Sequence, residues 1–255
     1  MEESNVFELC SLILIGGQSS RMGSPKYLLP IPSIQNGGLV STPLFIHSTC
    51  LHVATRQLCS ITPTNQVTLS TRSAAQADEL KLLINSPTMA DIAVDFVYDS
   101  HNNAGPAAGL CAAHASRPRA HVLVTGCDYP LLQPAALSRL FDQHVKLKKA
   151  VTCFVNGDGW AEPLLAIWSP TALARLTRLV EEAQGRGVGP TRMLRMLEKE
   201  AQEHDGDSID FTMGVNNITP DDAEWLTGVN TKEDWQAAEK KLTERLGLRG
   251  TSWPI

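Results

Sequence analysis

Short apolar runs alternate along this 255-residue chain with longer stretches whose apolar residues have helical spacing. The short runs are typical of buried strands, and the longer stretches indicate amphipathic helices. We predict strands over 12–15, 67–70, 92–98, 121–125, 151–155, 163–168 and 211–215, and helices over 43–59, 74–83, 105–115, 135–145, 171–184, 191–200 and 231–246. Such alternation predicts an α/β fold, a mostly parallel sheet with helices on both faces.

The connecting segments complete this picture of one domain. Residues 28–42 are rich in Pro, Gly, Ser and Asn and predict a long loop, and 201–207 predict a polar loop. Thr231 is the expected N-cap of the last helix, with Asp234 as the partner in a capping box. We therefore predict a single three-layer, Rossmann-like domain over 1–255, with its core at about 9–246 and a loose tail over 247–255.

Composition narrows the classes of partner. The chain is 43% hydrophobic and 19% charged, and its net charge is −5. No apolar stretch approaches the roughly 20 residues that span a bilayer, so we do not expect a membrane as a partner. Because the net charge is negative, we do not expect nucleic acid as a partner either. Residues 1–9 carry three acidic residues and no Lys or Arg, which is unlike a secretory signal. The expected location is the cytoplasm.

The six cysteines show no C-x-x-C spacing and no clustering with histidine. This pattern favours neither a zinc site nor a disulfide framework, so we expect small buried apolar residues. Cys127 stands beside Asp128, but no base lies near it in the sequence, and a nucleophilic role is disfavoured.

The first predicted strand runs into a glycine turn that carries two cations. Gly16, Gly17 and Gly23 lack a Cβ, so their backbone N–H groups can approach phosphate oxygens closely. Arg21 and Lys26 supply positive charge beside them. Because ligands bind at the carboxyl ends of parallel strands, this turn predicts a site for a nucleoside triphosphate.

Four other glycine motifs do not fit the turn. It lacks the Gly-Lys-Ser/Thr of a P-loop and the G-x-G-x-x-G of a dinucleotide fingerprint. Ser19 is followed by Ser20 and Arg21, whereas a serine-hydrolase elbow needs glycine two residues after the serine. A Gly-x-Gly-Thr-Arg turn of sugar-phosphate nucleotidyltransferases is also absent at this position.

The run Gly16-Gly17-x-Ser19-x-Arg21-Met22-Gly23-x-x-Lys26 resembles the signature of the molybdenum cofactor guanylyltransferase family, the MobA-like nucleotidyltransferases. Two further motifs match the family: the Asp-x-Pro-x-Leu pattern at 128–132 and the glycine-rich helix start at 105–109. Segments 162–164 and 229–231 look like later landmarks, so the resemblance covers most of the chain. It implies a nucleotidyltransferase-type fold.

The resemblance also implies roles for individual residues. Asp128 would bind Mg²⁺, which agrees with a carboxylate that closes a strand at the ligand edge. Arg21 and Lys26 would hold the phosphates and act in catalysis with Asp128, and Asn230 would contact the acceptor. The implied nucleotide-binding residues are Leu14, Ile15, Gly16, Gly17, Ser19, Gly23, Lys26, Ser70, Asp99, Gly105 and Asp128.

The implied reaction is transfer of GMP from GTP to molybdopterin, with Mg²⁺ as cofactor and release of pyrophosphate. The resemblance also implies that the chain makes transient contact with a molybdoenzyme or a cofactor-delivery protein. Gly16 and Gly109 favour guanine, but Ile15, Ser70 and Gly228 depart from the family pattern. Two alternatives stay open: the same chemistry with CTP or another phosphorylated acceptor, and a carrier that binds nucleotide or pterin without turnover.

Overall fold

The computed structural model describes residues 7–15, 25–31, 33–35, 38–40, 50–61, 64–85, 89–99, 104–184, 186–203, 211 and 213–245. Residues 43–49 of the first predicted helix and the tail from 246 lie outside these ranges. So do five predicted site residues: Gly16, Gly17, Ser19, Arg21 and Gly23.

Nine strands occur in the described chain: β1 (Leu9–Leu14), β2 (Ser33–Gln35), β3 (Gly38–Val40), β4 (Gln66–Thr71), β5 (Ala93–Tyr98), β6 (His121–Gly126), β7 (Val151–Val155), β8 (Ala161–Trp168) and β9 (Val215–Ile218). Seven of them form one sheet in the order β5-β4-β1-β6-β8-β7-β9. β8 pairs antiparallel with β6 and β7, whereas the β5-β4-β1-β6 half is parallel throughout. The carboxyl ends of β1, β4, β5 and β6 therefore share one edge.

Seven α-helices occur in the described residues: α1 (Cys50–Cys59), α2 (Ala74–Ile84), α3 (Pro106–Ser116), α4 (Pro134–Leu147), α5 (Pro170–Glu182), α6 (Pro190–Glu203) and α7 (Lys232–Arg245). Helices α3, α5 and α6 pack on one face through residues such as Leu110, Leu173 and Leu194. Helices α1, α2 and α4 contribute Leu58, Leu80 and Leu137 to the core on the other face. The predicted three-layer α/β architecture is confirmed.

The sequence explains why the central strands are buried. Every residue of β6 is buried, as expected for a parallel-type strand covered on both faces by helices.

A third, smaller core joins Leu29, Leu131, Val229 and Trp235. It packs the turn after Lys26, the turn after β6 and the start of α7 against one another, so these segments meet at the carboxyl edge.

Two predicted elements are wrong in detail. The predicted loop over 28–42 contains the antiparallel hairpin β2–β3, whose three-residue strands are too short for an alternation pattern. The predicted strand over 211–215 is observed four residues later, because β9 is defined by backbone pairing of Val215–Ile218 with β7 and contains two polar asparagines. In the described residues, no helix has the length and apolar character needed to cross a membrane.

Candidate active site

Asp128 lies in the turn directly after β6, at the carboxyl edge of the sheet. A Cβ on Gly126 would stand 2.3 Å from Asp128 Oδ1, so the missing side chain lets the carboxylate lie back over the strand end. The Asp128 carbonyl accepts a hydrogen bond from the Val229 backbone N–H at 2.9 Å. The turn after β6 is therefore tied to the segment before α7.

Lys26 lies between these two segments. Its Nζ donates to Asp128 Oδ2 at 3.0 Å and to Asn230 Oδ1 at 2.8 Å. The side chains of Lys26 and Asp128 are 19% and 30% exposed, so both charges remain accessible to a ligand. Lys26 and Asp128, which the resemblance implies act together, are in direct contact, and Asn230, 204 residues from Lys26 along the chain, joins Lys26 there.

The predicted capping box holds Asn230 in place. Thr231 Oγ1 accepts from the Asp234 N–H at 3.1 Å, and Asp234 Oδ2 accepts from the Thr231 N–H at 2.8 Å. The same carboxylate oxygen accepts from the Asn230 N–H at 2.9 Å. These backbone N–H groups hold the pKa of Asp234 below its ordinary value. The capping box is confirmed, and it fixes the backbone from which the Asn230 amide reaches Lys26.

Segment 162–164 was noted as a landmark of the resemblance, but the sequence did not place Glu162 beside Tyr129 and Asp128. The Tyr129 hydroxyl is hydrogen-bonded to the carboxylate of Glu162 at the start of β8. Burial raises the pKa of Glu162, and the charge of Asp128 raises it further, although the bond to Tyr129 opposes the change. Burial also raises the pKa of Tyr129 well above its ordinary value. The antiparallel pairing of β8 with β6 brings Glu162 here, and no local sequence pattern signals it.

A second group of predicted residues lies at the ends of β4 and β5. Ser70 Oγ donates to Asp99 Oδ1 at 2.6 Å, and Ser70 itself is 2% exposed. Burial raises the pKa of Asp99, whereas the bond from Ser70 and the charge of Arg72 lower it. The Asp99 backbone N–H donates to the Thr71 carbonyl at 2.9 Å, which anchors the residue just past its strand.

Strand β1 and helix α3 border this second group. Leu14 ends β1, and the following residue, Ile15, is buried and donates its N–H to the Ser70 carbonyl at 3.2 Å. Gly105 is the N-cap of α3, with a positive φ of 55° that an L side chain rarely adopts. Among the described residues, apart from its two chain neighbours, no heavy atom lies within 4 Å of a Cβ built there.

The predicted residues thus form two groups on one edge. Lys26 contacts both Asp128 and Asn230, and Leu14, Ile15, Ser70 and Asp99 lie at the ends of β1, β4 and β5. Strand β1 separates β4 from β6, so Ser70 on β4 lies about two strand spacings, roughly 10 Å, from the end of β6 that carries Asp128. Their roles toward a ligand stay predictions, as do those of the five residues outside the described ranges.

Cys127 is the residue between the strand end and Asp128. Burial raises its pKa to about 12, and the negative charge of Asp128 acts in the same direction. A thiol in such surroundings is not ionised at neutral pH. The expectation that Cys127 is buried is confirmed.

A family model described as the MobA-like NTP transferase domain matches residues 11–201 of this chain. The matched segment includes Lys26, Ser70, Asp99 and Asp128, and Asn230 lies beyond it.

Two curated relatives and one solved structure illustrate the similarity. The chain is 26% identical over 230 residues to a molybdenum cofactor biosynthesis bifunctional protein of Synechocystis sp., a match that covers 89% of this chain and 52% of that protein. The chain therefore spans about half the length of that relative. It is 23% identical to a probable molybdenum cofactor guanylyltransferase of Bacillus thuringiensis, over 91% of this chain and 96% of that one.

Among solved structures, molybdopterin-guanine dinucleotide biosynthesis protein A of Archaeoglobus fulgidus has the same fold, with a TM-score of 0.61 and 19% identity over 92% of this chain and 98% of that one. At this identity the likeness shows the fold alone. Because the family model covers most of the sequence, the resemblance drawn from the motifs is confirmed. The chain belongs to the family of MobA-like NTP transferase domains, and is a nucleotidyltransferase of that type.

Proposed function

We propose that this chain transfers GMP from GTP to the terminal phosphate of molybdopterin and releases pyrophosphate. The observation that carries the proposal is the contact of Lys26 with both Asp128 and Asn230 at the carboxyl edge of the sheet. A cation, a carboxylate and an amide oxygen at one point supply the polar groups that a triphosphate and its metal ion require. The printed name of the Bacillus thuringiensis relative, a probable molybdenum cofactor guanylyltransferase, supports the choice of substrates.

The phosphates would be held by Lys26 together with Arg21 and the backbone N–H groups of the glycine turn, from Gly16 through Gly17 and Ser19 to Gly23. In the free chain, Lys26 Nζ is bound by two oxygens within 3.0 Å. Phosphate oxygens would replace them as partners of the ammonium group. The chain's contribution is then to position the triphosphate and to neutralise its charge.

The donor set at Asp128 fits Mg²⁺. In the described residues, no three His, Cys, Asp or Glu side chains cluster as metal ligands. However, Mg²⁺ is usually bound by one or two carboxylates plus substrate phosphates and water, and Asp128 is a partly exposed carboxylate oxygen donor of this kind. Bound there, the ion would offset negative charge on the triphosphate. Glu162 and Tyr129 lie beside Asp128 and would restrict its orientation.

The acceptor supplies its own nucleophile. An oxygen of its terminal phosphate attacks the α-phosphorus of GTP, a new P–O bond forms, and the bond to the β-phosphate oxygen breaks to release pyrophosphate. Since a phosphate is already anionic at neutral pH, this step needs no general base from the protein, and the un-ionised thiol of Cys127 has no part in it. Asn230 would contact the acceptor from the segment before α7.

The base would lie over the second group. Asp99 would accept hydrogen bonds from guanine, and Leu14, Ile15 and Gly105 would contact the nucleotide beside it. A carboxylate at this point suits guanine because that base carries two adjacent N–H donors on one edge.

The test is to incubate the chain with labelled GTP, Mg²⁺ and molybdopterin, and to identify the product by mass. We expect a GMP–molybdopterin adduct and equimolar pyrophosphate, and Asp128→Asn as the matched control should form neither at a comparable rate. A product formed with CTP in preference to GTP would overturn the base assignment. Nucleotide binding without any adduct would overturn the transfer reaction in favour of a carrier.

A further inference from the structure

Among the described residues, the Ser70 hydroxyl has one hydrogen-bond partner, Asp99, in the second group at the ends of β4 and β5. It donates to Asp99 Oδ1 at 2.6 Å, a short contact typical of a bond to a charged acceptor. Ser70 lies on β4 and is 2% exposed, so it offers almost no surface to a bound ligand. Its side chain is thus placed to act on Asp99 rather than on a nucleotide.

Helix α3 holds this arrangement in place. A Cβ on Gly109 would stand 2.4 Å from Ser70 Oγ and 2.6 Å from Leu14 Cδ2. Real Cβ atoms do not approach other atoms so closely, so a larger residue at 109 would require Ser70, Leu14 or the helix to shift. The packing confines the Ser70 hydroxyl to the space that the Asp99 carboxylate faces.

The hydroxyl also determines what Asp99 offers to a ligand. Burial raises the pKa of Asp99, which favours the protonated acid, and the bond from Ser70 opposes this change together with the charge of Arg72. An ionised carboxylate is an acceptor with about four lone-pair sites on two oxygens. Among the described residues, Ser70 uses one of these sites, and in the proposed base-binding role of Asp99 a ligand takes sites on both oxygens.

Two adjacent N–H donors fit such a carboxylate. Guanine presents them at N1 and at its 2-amino group, whereas the corresponding edges of adenine, cytosine and uracil place an acceptor next to a donor. A carboxylate that turned away could no longer accept from both N–H donors of guanine. A protonated acid would also lose the preference for guanine, since it donates from one of its oxygens.

We infer that Ser70 is a positioning residue that sets the base selectivity of the site, by holding Asp99 as an aligned acceptor for the two N–H donors of guanine without itself touching the nucleotide. This inference rests on the proposed function, in which Asp99 binds the base. It differs from the expectation that Ser70 is a nucleotide contact.

The test is calorimetric binding of GTP, ITP and CTP, each with Mg²⁺ and without acceptor. ITP lacks the 2-amino group of GTP and keeps N1–H. We expect the wild-type chain to bind GTP about 10- to 100-fold more tightly than ITP, the range for one hydrogen bond to a charged group. In Ser70→Ala, GTP binding should weaken about tenfold and the GTP-over-ITP ratio should fall below about fivefold, whereas CTP binding should change less than about twofold.

A matched control is Thr68→Val. Thr68 lies two residues earlier on β4 and is 4% exposed, and its hydroxyl is 3.5 Å from Cys10 Sγ, away from Asp99. The Thr68→Val variant loses a buried hydroxyl from the same face of β4 as Ser70, so it should show any general loss of stability that removal of such a hydroxyl causes. Its GTP-over-ITP ratio should equal that of the wild type.

A double-mutant cycle tests whether Ser70 acts through Asp99. In an Asp99→Ala background, Ser70→Ala should change GTP affinity by less than about twofold, since the group that it positions is gone. In turnover assays Ser70→Ala should raise KM for GTP and leave kcat unchanged, because the base is remote from the reacting phosphates.

Each failure has a distinct pattern. A wild-type chain that binds GTP and forms adduct, with an unchanged GTP-over-ITP ratio in Ser70→Ala, overturns the inference and leaves the proposed function intact. A full tenfold effect of Ser70→Ala in the Asp99→Ala background also overturns it. A wild-type chain that prefers CTP, or binds no triphosphate, overturns the inference together with the base assignment on which it rests.

Discussion

The two ends of strand β6 handle polar groups in opposite ways. At the carboxyl end, Lys26 and Asp128 pair as charged groups 3.0 Å apart with 19% and 30% of their side chains exposed. At the amino end, His121 Nδ1 is hydrogen-bonded to His144 Nε2 at 2.9 Å, and both rings are buried. Phe7 and Phe211 pack against these rings, with centroids 4.1 and 4.7 Å from that of His121.

The difference follows from solvent access. Charged groups that keep contact with water can exchange their partners for a ligand, whereas buried ionisable groups lower the cost of burial by becoming neutral. Burial lowers the pKa of His121 to about 4 and that of His144 to about 3. The carboxyl end of the strand is therefore suited to binding, and the amino end to stability.

The largest expected effect is the loss of stability in acid. Because both histidine pKa values are lowered on folding from 6.5, the unfolded chain binds more protons between about pH 6.5 and pH 4, so stability is present above this window and falls as pH falls through it. Between pH 7 and pH 5 we expect the free energy of unfolding to fall by about 2 kcal/mol for each histidine. Urea unfolding at the two pH values measures this loss.

His144→Gln is the control for the acid effect. It removes one titrating group and keeps a polar side chain beside Thr152, which bonds His144 Nδ1 at 3.0 Å. The loss between pH 7 and pH 5 should fall by about half. A wild-type and a variant chain with the same pH dependence would show that the histidine pair is not the cause.

At the carboxyl end of β6, we expect substitution of Lys26 to have a large effect on the reaction rate and a small effect on stability. Lys26→Ala should reduce pyrophosphate release about 10²- to 10³-fold, the usual loss for one preorganised charge donor. The free energy of unfolding should change by less than about 1 kcal/mol, since the ion pair is partly exposed.

Lys199→Ala serves as its control, because Lys199 forms a surface ion pair with Glu203 on α6. It should leave the rate of pyrophosphate release unchanged. If Lys26→Ala were as active as this control, Lys26 would have no role in the reaction.

A substitution in the packing at the carboxyl edge should have an intermediate effect on stability, opposite in sign to the usual effect of Gly→Ala in a helix. Gly→Ala inside a helix normally stabilises a protein by up to about 1 kcal/mol. Gly109→Ala should instead lower the free energy of unfolding by about 1–3 kcal/mol, because the new Cβ would overlap Ser70 Oγ and Leu14 Cδ2. Denaturant unfolding decides the sign, and a gain in stability would contradict the close approach of α3 to β4.

The smallest expected effect concerns the acceptor. Asn230→Ala removes one amide that bonds Lys26 at 2.8 Å, so we expect KM for molybdopterin to rise about tenfold, a loss typical of one hydrogen bond to a charged group. Steady-state kinetics with each substrate varied in turn measure this. A rise confined to KM for GTP would assign Asn230 to the nucleotide instead.

Local patterns in the sequence were sufficient for the features that depend on neighbouring residues. The buried runs of β1 and β6 predict strands whose ends meet at one edge, and Lys26 and Asp128 are found there in contact. Thr231 and Asp234 predict the capping box, which is observed.

Features that depend on tertiary pairing could not be predicted in this way. The contact of Glu162 with Tyr129 arises from the antiparallel pairing of β8 with β6, which leaves no local signal. The bond from Ser70 to Asp99 joins two neighbouring strands. β9 begins four residues later than predicted because its backbone pairing with β7, rather than an apolar run, defines it.

The most direct test of the account is a crystal structure of the chain with GTP and Mg²⁺. We expect Lys26 Nζ to leave Asp128 for a phosphate oxygen at about 2.9 Å, and an Asp128 oxygen to lie about 2.1 Å from the metal ion. The guanine edge should face Asp99. A nucleotide bound elsewhere, with the Lys26–Asp128 pair still intact, would contradict the claim that the two residues share one triphosphate and its ion.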